Sequence, residues 1–174
     1  MMSRLISFFT ESGKVLISPD ELFYLKSQSR DYNGILSAIF YSAFLGLIIG
    51  LLTGEPLVIV FLIIGAIIVT LLFKVIQAIF IYIFSRILGG KGSYRSTLNL
   101  ISYSSVLDVF LILGLALTSI NNMVIMPLIL LVIPWRMVIN ITAVNTEFEI
   151  GFGKSFLATY GILLLILTVI VGLL

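Results

Sequence analysis

The residues of this sequence that could do chemistry are few, and three of them lie inside long apolar segments: Lys74, Asp108 and Arg136. A charge at membrane depth costs on the order of 3 kcal/mol even on lenient insertion scales, so such residues are expected to be paired or functional. Cysteine and histidine are both absent. The absence of both residue types from the given sequence excludes thiolate nucleophiles, zinc sites built on Cys or His, and Ser-His-Asp catalysis within it.

The positions of the three charges predict that they meet. Counted from the ends of their segments, Asp108 and Arg136 each lie about 13 Å from the same membrane face, and Lys74 is level with them or about one turn deeper. We predict an Asp108–Arg136 ion pair that Lys74 could share. An acidic residue in a span can also relay protons or cations. Against transport, the three charges sum to +1 and no segment is broken by Gly and Pro, as transporter sites tend to be.

A glycine-rich segment also carries charge: Gly89, Gly90, Lys91, Gly92, Ser93 and, shortly after it, Arg95. It superficially resembles a phosphate loop but lacks the required spacing of Gly, four residues, then Gly-Lys-Ser/Thr after a strand. The simpler interpretation is that Gly89 and Gly90 end one helix and Ser93 caps the next. Lys91 and Arg95 could then contact anionic lipid head groups.

Small residues recur at every fourth position of the first apolar segment: Ala38, Ser42, Gly46, Gly50 and Gly54. Positions spaced by four lie on one helix face, which predicts a groove where another helix packs very closely. The partner is either a neighbouring span of the same chain, the favoured interpretation, or a helix of another subunit in a homo- or hetero-oligomer.

The elements that must position these residues are membrane helices. The chain is 60% hydrophobic and only 10% charged, where a soluble domain carries about a quarter charged residues. Five apolar segments approach or exceed the ~20 residues that span a bilayer: 35–52, 57–88, 98–120, 123–144 and 156–174. The sequence therefore predicts an all-α, polytopic integral membrane protein with five transmembrane helices. The second segment, at about 48 Å, is too long, and we favour an interfacial helix over its last turns, 79–88, rather than a strong tilt.

Loop charges predict the orientation of the five spans. Lys and Arg number four before the first span, three in the loop 86–97 and one in the loop 145–155, with none in the other loops or at the C-terminus. By the positive-inside rule, the N-terminus is cytosolic and the C-terminus is external. Contacts with other proteins outside the lipid are then expected on the cytosolic side.

The N-terminal residues 1–33 form the one sizeable polar stretch, ahead of a membrane domain at 34–174. Ser18-Pro19-Asp20-Glu21 predicts the start of a short amphipathic helix, with Ser18 as N-cap and Glu21 closing a capping box. That helix either lies on the membrane surface or packs under the bundle, and the sequence leaves both alternatives open.

Several short motifs resemble those of the Yip1 domain family. They are Gly-Gly-Lys-Gly-Ser-Tyr at 89–94, Ile101-Ser102-Tyr103-Ser104-Ser105, Ile133-Pro134-Trp135 and Gly-Lys-Ser-Phe at 153–156. The resemblance runs from about residue 15 to the C-terminus. It implies a five-span domain with a cytosolic N-terminus and no catalytic residues, and in eukaryotic members a role in vesicle traffic with Rab-type GTPases. Only Ser18-Pro19-Asp20 stands near where their Asp-Leu-Tyr-Gly-Pro motif would fall, so the chain resembles a compact, prokaryotic-type member.

These observations predict a multi-pass membrane protein that is not an enzyme and needs no cofactor. It would act as a membrane adaptor or organising factor, with the lipid bilayer, a further subunit through the first span, or a cytosolic protein as partner. A small GTPase is implied by the resemblance alone, and no basic cluster indicates nucleic acid. The alternative is a small transporter or channel subunit that uses Asp108, Arg136 and Lys74.

Overall fold

The computed structural model describes residues 2–29, 31–118 and 122–173, and within them it contains helices and no strand. Met1, Arg30, residues 119–121 and Leu174 lie outside the described residues. Five helical segments are long and apolar enough to cross a membrane. The predicted all-α, five-span fold class is therefore confirmed, whereas the orientation of the bundle stays a prediction from the loop charges.

Eight α-helices make up the described chain. In order they are α1 (Met2–Ile17), α2 (Pro19–Ser27), α3 (Asn33–Leu51), α4 (Pro56–Ile87), α5 (Tyr94–Ser102), α6 (Asp108–Leu117), α7 (Ile125–Phe148) and α8 (Phe152–Leu173). The first span is α3, the second α4, the fourth α7 and the fifth α8. The third span consists of α5 and α6, joined by a 3₁₀ turn over Tyr103–Leu107.

The third span lies at the centre of the bundle. Leu100, Ile101, Tyr103 and Leu107 are fully buried, and α3, α4 and α7 all contact α5. By contrast, α4 and α8 expose many large apolar side chains. Because lipid is as apolar as these side chains, such faces are stable in a membrane. The third span, which carries most polar groups, is the one buried inside the bundle, since polar groups are costly against lipid.

The second span is one uninterrupted helix from Pro56 to Ile87. Its buried residues are Lys74, Ala78, Ile81 and Ser85, all in the C-terminal half. Their spacing of three and four places them on one face, which packs against α5 and α8. The last turns thus remain helical and belong to the bundle. Their exit from the membrane as an interfacial helix stays a prediction.

The N-terminal residues form two helices, where the sequence predicted only the second. The predicted helix α2 packs under the bundle: Leu22 and Phe23 are buried, and the Phe23 ring lies 6.1 Å from the Tyr103 ring. Of the two alternatives, packing under the bundle is therefore observed. The capping box was wrong, because the Ser18 side chain makes no cap hydrogen bond. Ser18 also ends α1, its amide donating to the Lys14 carbonyl at 2.8 Å.

Candidate functional site

The 3₁₀ turn is a break in the α-helical hydrogen-bond pattern of the third span, which nevertheless remains one helix of 24 residues. The turn contains neither Gly nor Pro. Its serines explain the break, since serine hydroxyls compete with backbone amides for helix carbonyls. Ser102 Oγ donates to the Leu98 carbonyl at 2.6 Å, and Ser104 Oγ donates to the Ile101 carbonyl at 2.8 Å. No described span is broken by Gly or Pro, as predicted: Pro134 lies inside the continuous helix α7, and the 3₁₀ turn of the third span contains neither residue.

Lys74 contacts this break rather than a carboxylate. Its Nζ donates to the Ile101 carbonyl at 3.0 Å and to Ser104 Oγ at 2.6 Å, and the residue is buried. Irregular backbone within a membrane must find hydrogen-bond partners inside the protein. The ammonium group of Lys74 supplies such a partner at Ile101. A share of Lys74 in the Asp108–Arg136 ion pair stays a prediction.

Asp108 and Arg136 form an ion pair across α6 and α7, through Arg136 Nη2 and Asp108 Oδ1. Asp108 is the first residue of α6 and is buried. The positive end of a helix dipole stabilises a carboxylate at that position. Arg136 is less covered: one third of its side chain (33%) is exposed, and its buried Nε has no hydrogen-bond partner among the described residues.

The small residues of the first span face α4 of the same chain. Ala38, Ser42, Gly46 and Gly50 are all buried. A Cβ atom added at Gly46 would lie 2.6 Å from the Leu62 carbonyl oxygen and 2.8 Å from Ile63 Cα. The two backbones therefore touch, and this face is occupied within one chain.

Gly54 does not belong to that groove. It follows the end of α3, has a φ of +73°, and an added Cβ would meet nothing within 4 Å. Glycine is the residue that adopts such a left-handed conformation without strain, so its role is to turn the chain. The four-residue pattern continues past the end of α3, so the prediction that Gly54 belongs to the groove was wrong.

The glycine-rich segment ends α4 and begins α5. Gly89 has a φ of +95°, and the amides of Gly89 and Gly90 bond to the Arg86 and Ser85 carbonyls at 3.1 and 2.9 Å. This is a Schellman C-cap. At the next helix, Ser93 Oγ accepts from the Ser96 amide at 3.2 Å, which is the predicted N-cap.

A carboxylate of the fourth span holds the same segment in place. Glu147 accepts hydrogen bonds from the Ser93 amide at 2.7 Å and from Ser96 Oγ at 2.5 Å. An anion at a helix N-terminus is favourable. A Cβ at Gly92 would lie 2.7 Å from Glu147 Cγ, so glycine is needed for this approach. Of the two predicted lipid contacts, Lys91 is exposed, and the Arg95 guanidinium lies 4.2 Å from the centre of the Tyr32 ring.

A polar network that the sequence interpretation missed joins the N-terminal helices to the spans. Glu11 accepts from Lys26 Nζ at 2.8 Å, from Asn33 Nδ2 at 2.9 Å and from the Tyr103 hydroxyl at 2.8 Å. Lys26 also contacts Asp31 at 2.5 Å. Tyr103 belongs to the 3₁₀ turn, so the network connects α1 directly to the broken span.

The charges of this network are mutually stabilised. Burial alone would lower the pKa of Lys26, but hydrogen bonds to Asp31 and Glu11 raise it above its ordinary value. Burial alone would raise the pKa of Asp31, but the hydrogen bond from Lys26 and that from the Asn33 amide lower it. Both groups therefore remain ionised at neutral pH. The raised pKa keeps Lys26 charged to higher pH, and the lowered pKa keeps Asp31 charged to lower pH.

The signal for α1 is present in the sequence at helical spacing. Phe8, Glu11, Ser12 and Val15 recur at intervals of three and four, and they form the covered side of α1. Phe8 packs edge-to-face on Phe40 of the first span at 5.7 Å. This amphipathic periodicity is the sequence signal from which α1 could have been predicted.

Tyr103→Phe is expected to loosen α1 while leaving the five spans intact. The hydroxyl donates to a carboxylate, and loss of such a bond costs about 2 kcal/mol. Amide hydrogen exchange in α1 should therefore rise roughly 30-fold, with exchange in α5 and α7 unchanged. Tyr24→Phe, on an exposed ring of α2, is the matched control. Equal exchange in the two variants would contradict a docking role for the hydroxyl.

Helix length, hydropathy and the buried ion pair together define a polytopic helical membrane protein. The sequence model described as the Yip1 domain matches residues 13–174, nearly the whole chain. The chain therefore belongs to the Yip1 domain family. No curated protein and no solved structure matches it in the corresponding comparisons.

Proposed function

We propose that this chain is a non-enzymatic membrane adaptor or organising factor that acts through protein contacts at one end of the bundle. The observation that carries the proposal is the gathering of three separate segments at that end. They are the N-terminal helices, the glycine-rich segment between α4 and α5, and the end of α7. Helix α2 contacts both α5 and α7. These are the segments that the loop charges predict to be cytosolic.

The exposed side chains of this end have the mixed character of a protein-binding surface. Tyr24 is 62% exposed and stands beside a cleft of about 390 Å³ that Lys91, Glu147 and Glu149 also line. Tyrosine is enriched where proteins bind one another, with charged groups around it. Membership of the Yip1 family supports a trafficking-like role, and a small GTPase is the partner that the family suggests.

Photocrosslinking in native membranes tests the adaptor proposal. Benzoylphenylalanine at Tyr24 or at Lys91 is expected to capture the same protein, identified by mass spectrometry. Leu57, which is 70% exposed at the opposite end of α4, is the control position. A shared adduct at 24 and 91 that is absent at 57 supports the proposal. No adduct at 24 and 91, or equal adducts at all three, contradicts it.

The broken third span favours a second candidate, a small transporter or channel subunit. Discontinuous helices form the substrate sites of many transporters. Here Lys74 of α4 donates to the Ile101 carbonyl beside the break, and Asp108 directly follows the break. In proteoliposomes this candidate predicts an ion- or pH-dependent flux that Asp108→Asn abolishes. Glu55→Gln, in an exposed loop, should leave that flux unchanged. Absence of flux with the unsubstituted protein contradicts the candidate.

A further inference from the structure

A cavity of about 660 Å³ lies between α3, α6, α7 and α8, away from the end of the bundle on which the adaptor proposal rests. Its walls are almost entirely apolar and include Leu45, Leu111, Ile129 and Leu163, while Arg136 and Tyr160 supply its polar groups. Its rim is open to the lipid, since Leu163 is 54% exposed. A volume of 300–1,000 Å³ with apolar walls and a few convergent polar groups is typical of a ligand site.

The polar groups of the cavity are hydrogen-bond donors. Arg136 lines the cavity and one third of its side chain is exposed. Its pair with Asp108 uses Nη2, which leaves other N–H groups of the guanidinium for a ligand. The Tyr160 hydroxyl accepts from Asn140 Nδ2 at 3.1 Å, which leaves its own proton free to donate. Donors from a cation and a hydroxyl at one place favour an anionic ligand.

The charges at this depth favour a single negative charge. Lys74 and Arg136 are formally cationic and Asp108 is formally anionic, so the three sum to +1. An unbalanced charge within a membrane is costly. One monoanion at Arg136 would balance the three, whereas a neutral ligand would leave the excess.

The position of Arg136 limits the size of the anionic group. The residue is about 18 Å along α7 from Phe148 and about 16 Å from Ile125, which is the middle of the span. A phospholipid head group lies at the interface and does not reach this depth. A carboxylate is the smallest anionic head, and it matches the planar fork of a guanidinium.

We infer that this cavity binds a long-chain fatty acid. The carboxylate accepts hydrogen bonds from Arg136 and Tyr160, and the acyl chain lies along the apolar wall of α7 toward Ile125. The membrane itself supplies the ligand through the open rim. The inference is independent of the proposed adaptor function, which concerns the opposite part of α7.

Labelling of the protein in lipid nanodiscs tests the inference without any substitution. The probe is a 16-carbon fatty acid that carries a diazirine and an alkyne, and the competitors are palmitic acid and its methyl ester. A hydrogen bond to a charged group makes the acid a better competitor than the ester by about tenfold or more. Equal competition by the two would overturn the inference.

Two tryptophan substitutions on α7 locate the binding site. Ile129→Trp fills the cavity and should abolish labelling. Leu131→Trp, at a lipid-facing position that is 55% exposed and does not line the cavity, should retain it. Tyr160→Phe should weaken labelling severalfold. Equal labelling of the two tryptophan variants overturns the inference. So does a crosslink from Leu163 to another membrane protein in native membranes, which would assign the cavity to a partner helix.

Discussion

Gly46→Leu is expected to unfold most of the protein in the membrane. The added Cβ would lie 2.6 Å from the Leu62 carbonyl oxygen and 2.8 Å from Ile63 Cα. Both contacts are with backbone, which cannot move aside as a flexible side chain does, so α3 and α4 must separate. Overpacking costs about 1–3 kcal/mol even where neighbours can shift, and separating the most closely packed pair of spans costs more.

The matched control for this prediction is Gly65→Leu. Gly65 lies on α4 and an added Cβ would meet nothing within 4 Å, so the new side chain points into open space. A glycine replaced within a helix also gains about 0.5–1 kcal/mol. The free energy of unfolding, measured by SDS titration in mixed micelles, should fall for Gly46→Leu and stay level or rise for Gly65→Leu.

Two outcomes would contradict the interpretation of this surface. If Gly46→Leu keeps the free energy of unfolding but dissociates an oligomer on size-exclusion chromatography, the face binds another subunit, contrary to the packing against α4. If the two leucine variants behave alike, close backbone approach contributes nothing at Gly46. A separate close approach, between α3 and α5, is tested by Gly34→Ala, whose Cβ would overlap the Asn99 carbonyl oxygen. This variant should also lower the free energy of unfolding.

Asp108→Asn is expected to cost about 3–5 kcal/mol, the penalty for leaving a buried charge without its partner. Arg136 would then lie in mid-membrane with a positive charge and no carboxylate. Arg136→Gln should be costly for the converse reason. The double variant should be less destabilised than the sum of the two, by about 1–3 kcal/mol.

Fluorescence offers a direct measurement for this second prediction. Trp135, the one tryptophan of the sequence, stands next to Arg136 and reports unfolding of α7. Asp20→Asn, an exposed carboxylate on α2, is the control and should change stability by no more than about 0.5 kcal/mol. Strictly additive losses in the double variant would refute an energetic coupling between Asp108 and Arg136.

The match between predicted and observed spans shows where sequence patterns are reliable. The predicted first span, 35–52, and α3 (Asn33–Leu51) differ by two residues at the start and one at the end. The fourth span, α7, runs to Phe148, a turn past the predicted 144, since Val144 and Phe148 both pack into the core. Hydropathy identifies the part of a helix that crosses lipid, whereas the end of a helix depends on its tertiary contacts.

The candidate site was only partly predictable. The depths of Asp108 and Arg136 along their segments place the two side chains at one level, and the structure pairs them. Depth alone did not indicate the hydrogen bonds of Lys74, whose ammonium group donates to the Ile101 carbonyl and to Ser104 Oγ. No sequence pattern indicated that serine hydroxyls would open the helix at Ile101.

The sequence by itself determined the solvent, the number of spans and the face of the first span that packs. These properties follow from composition and from spacing along one helix, and both are local. The tertiary structure alone decided the break in the third span, the partner of Lys74 and the docking of α1 through Glu11 and Tyr103. Each of these depends on which donors and acceptors meet across helices. Such partners are far apart in the sequence, so spacing along the chain does not reveal them.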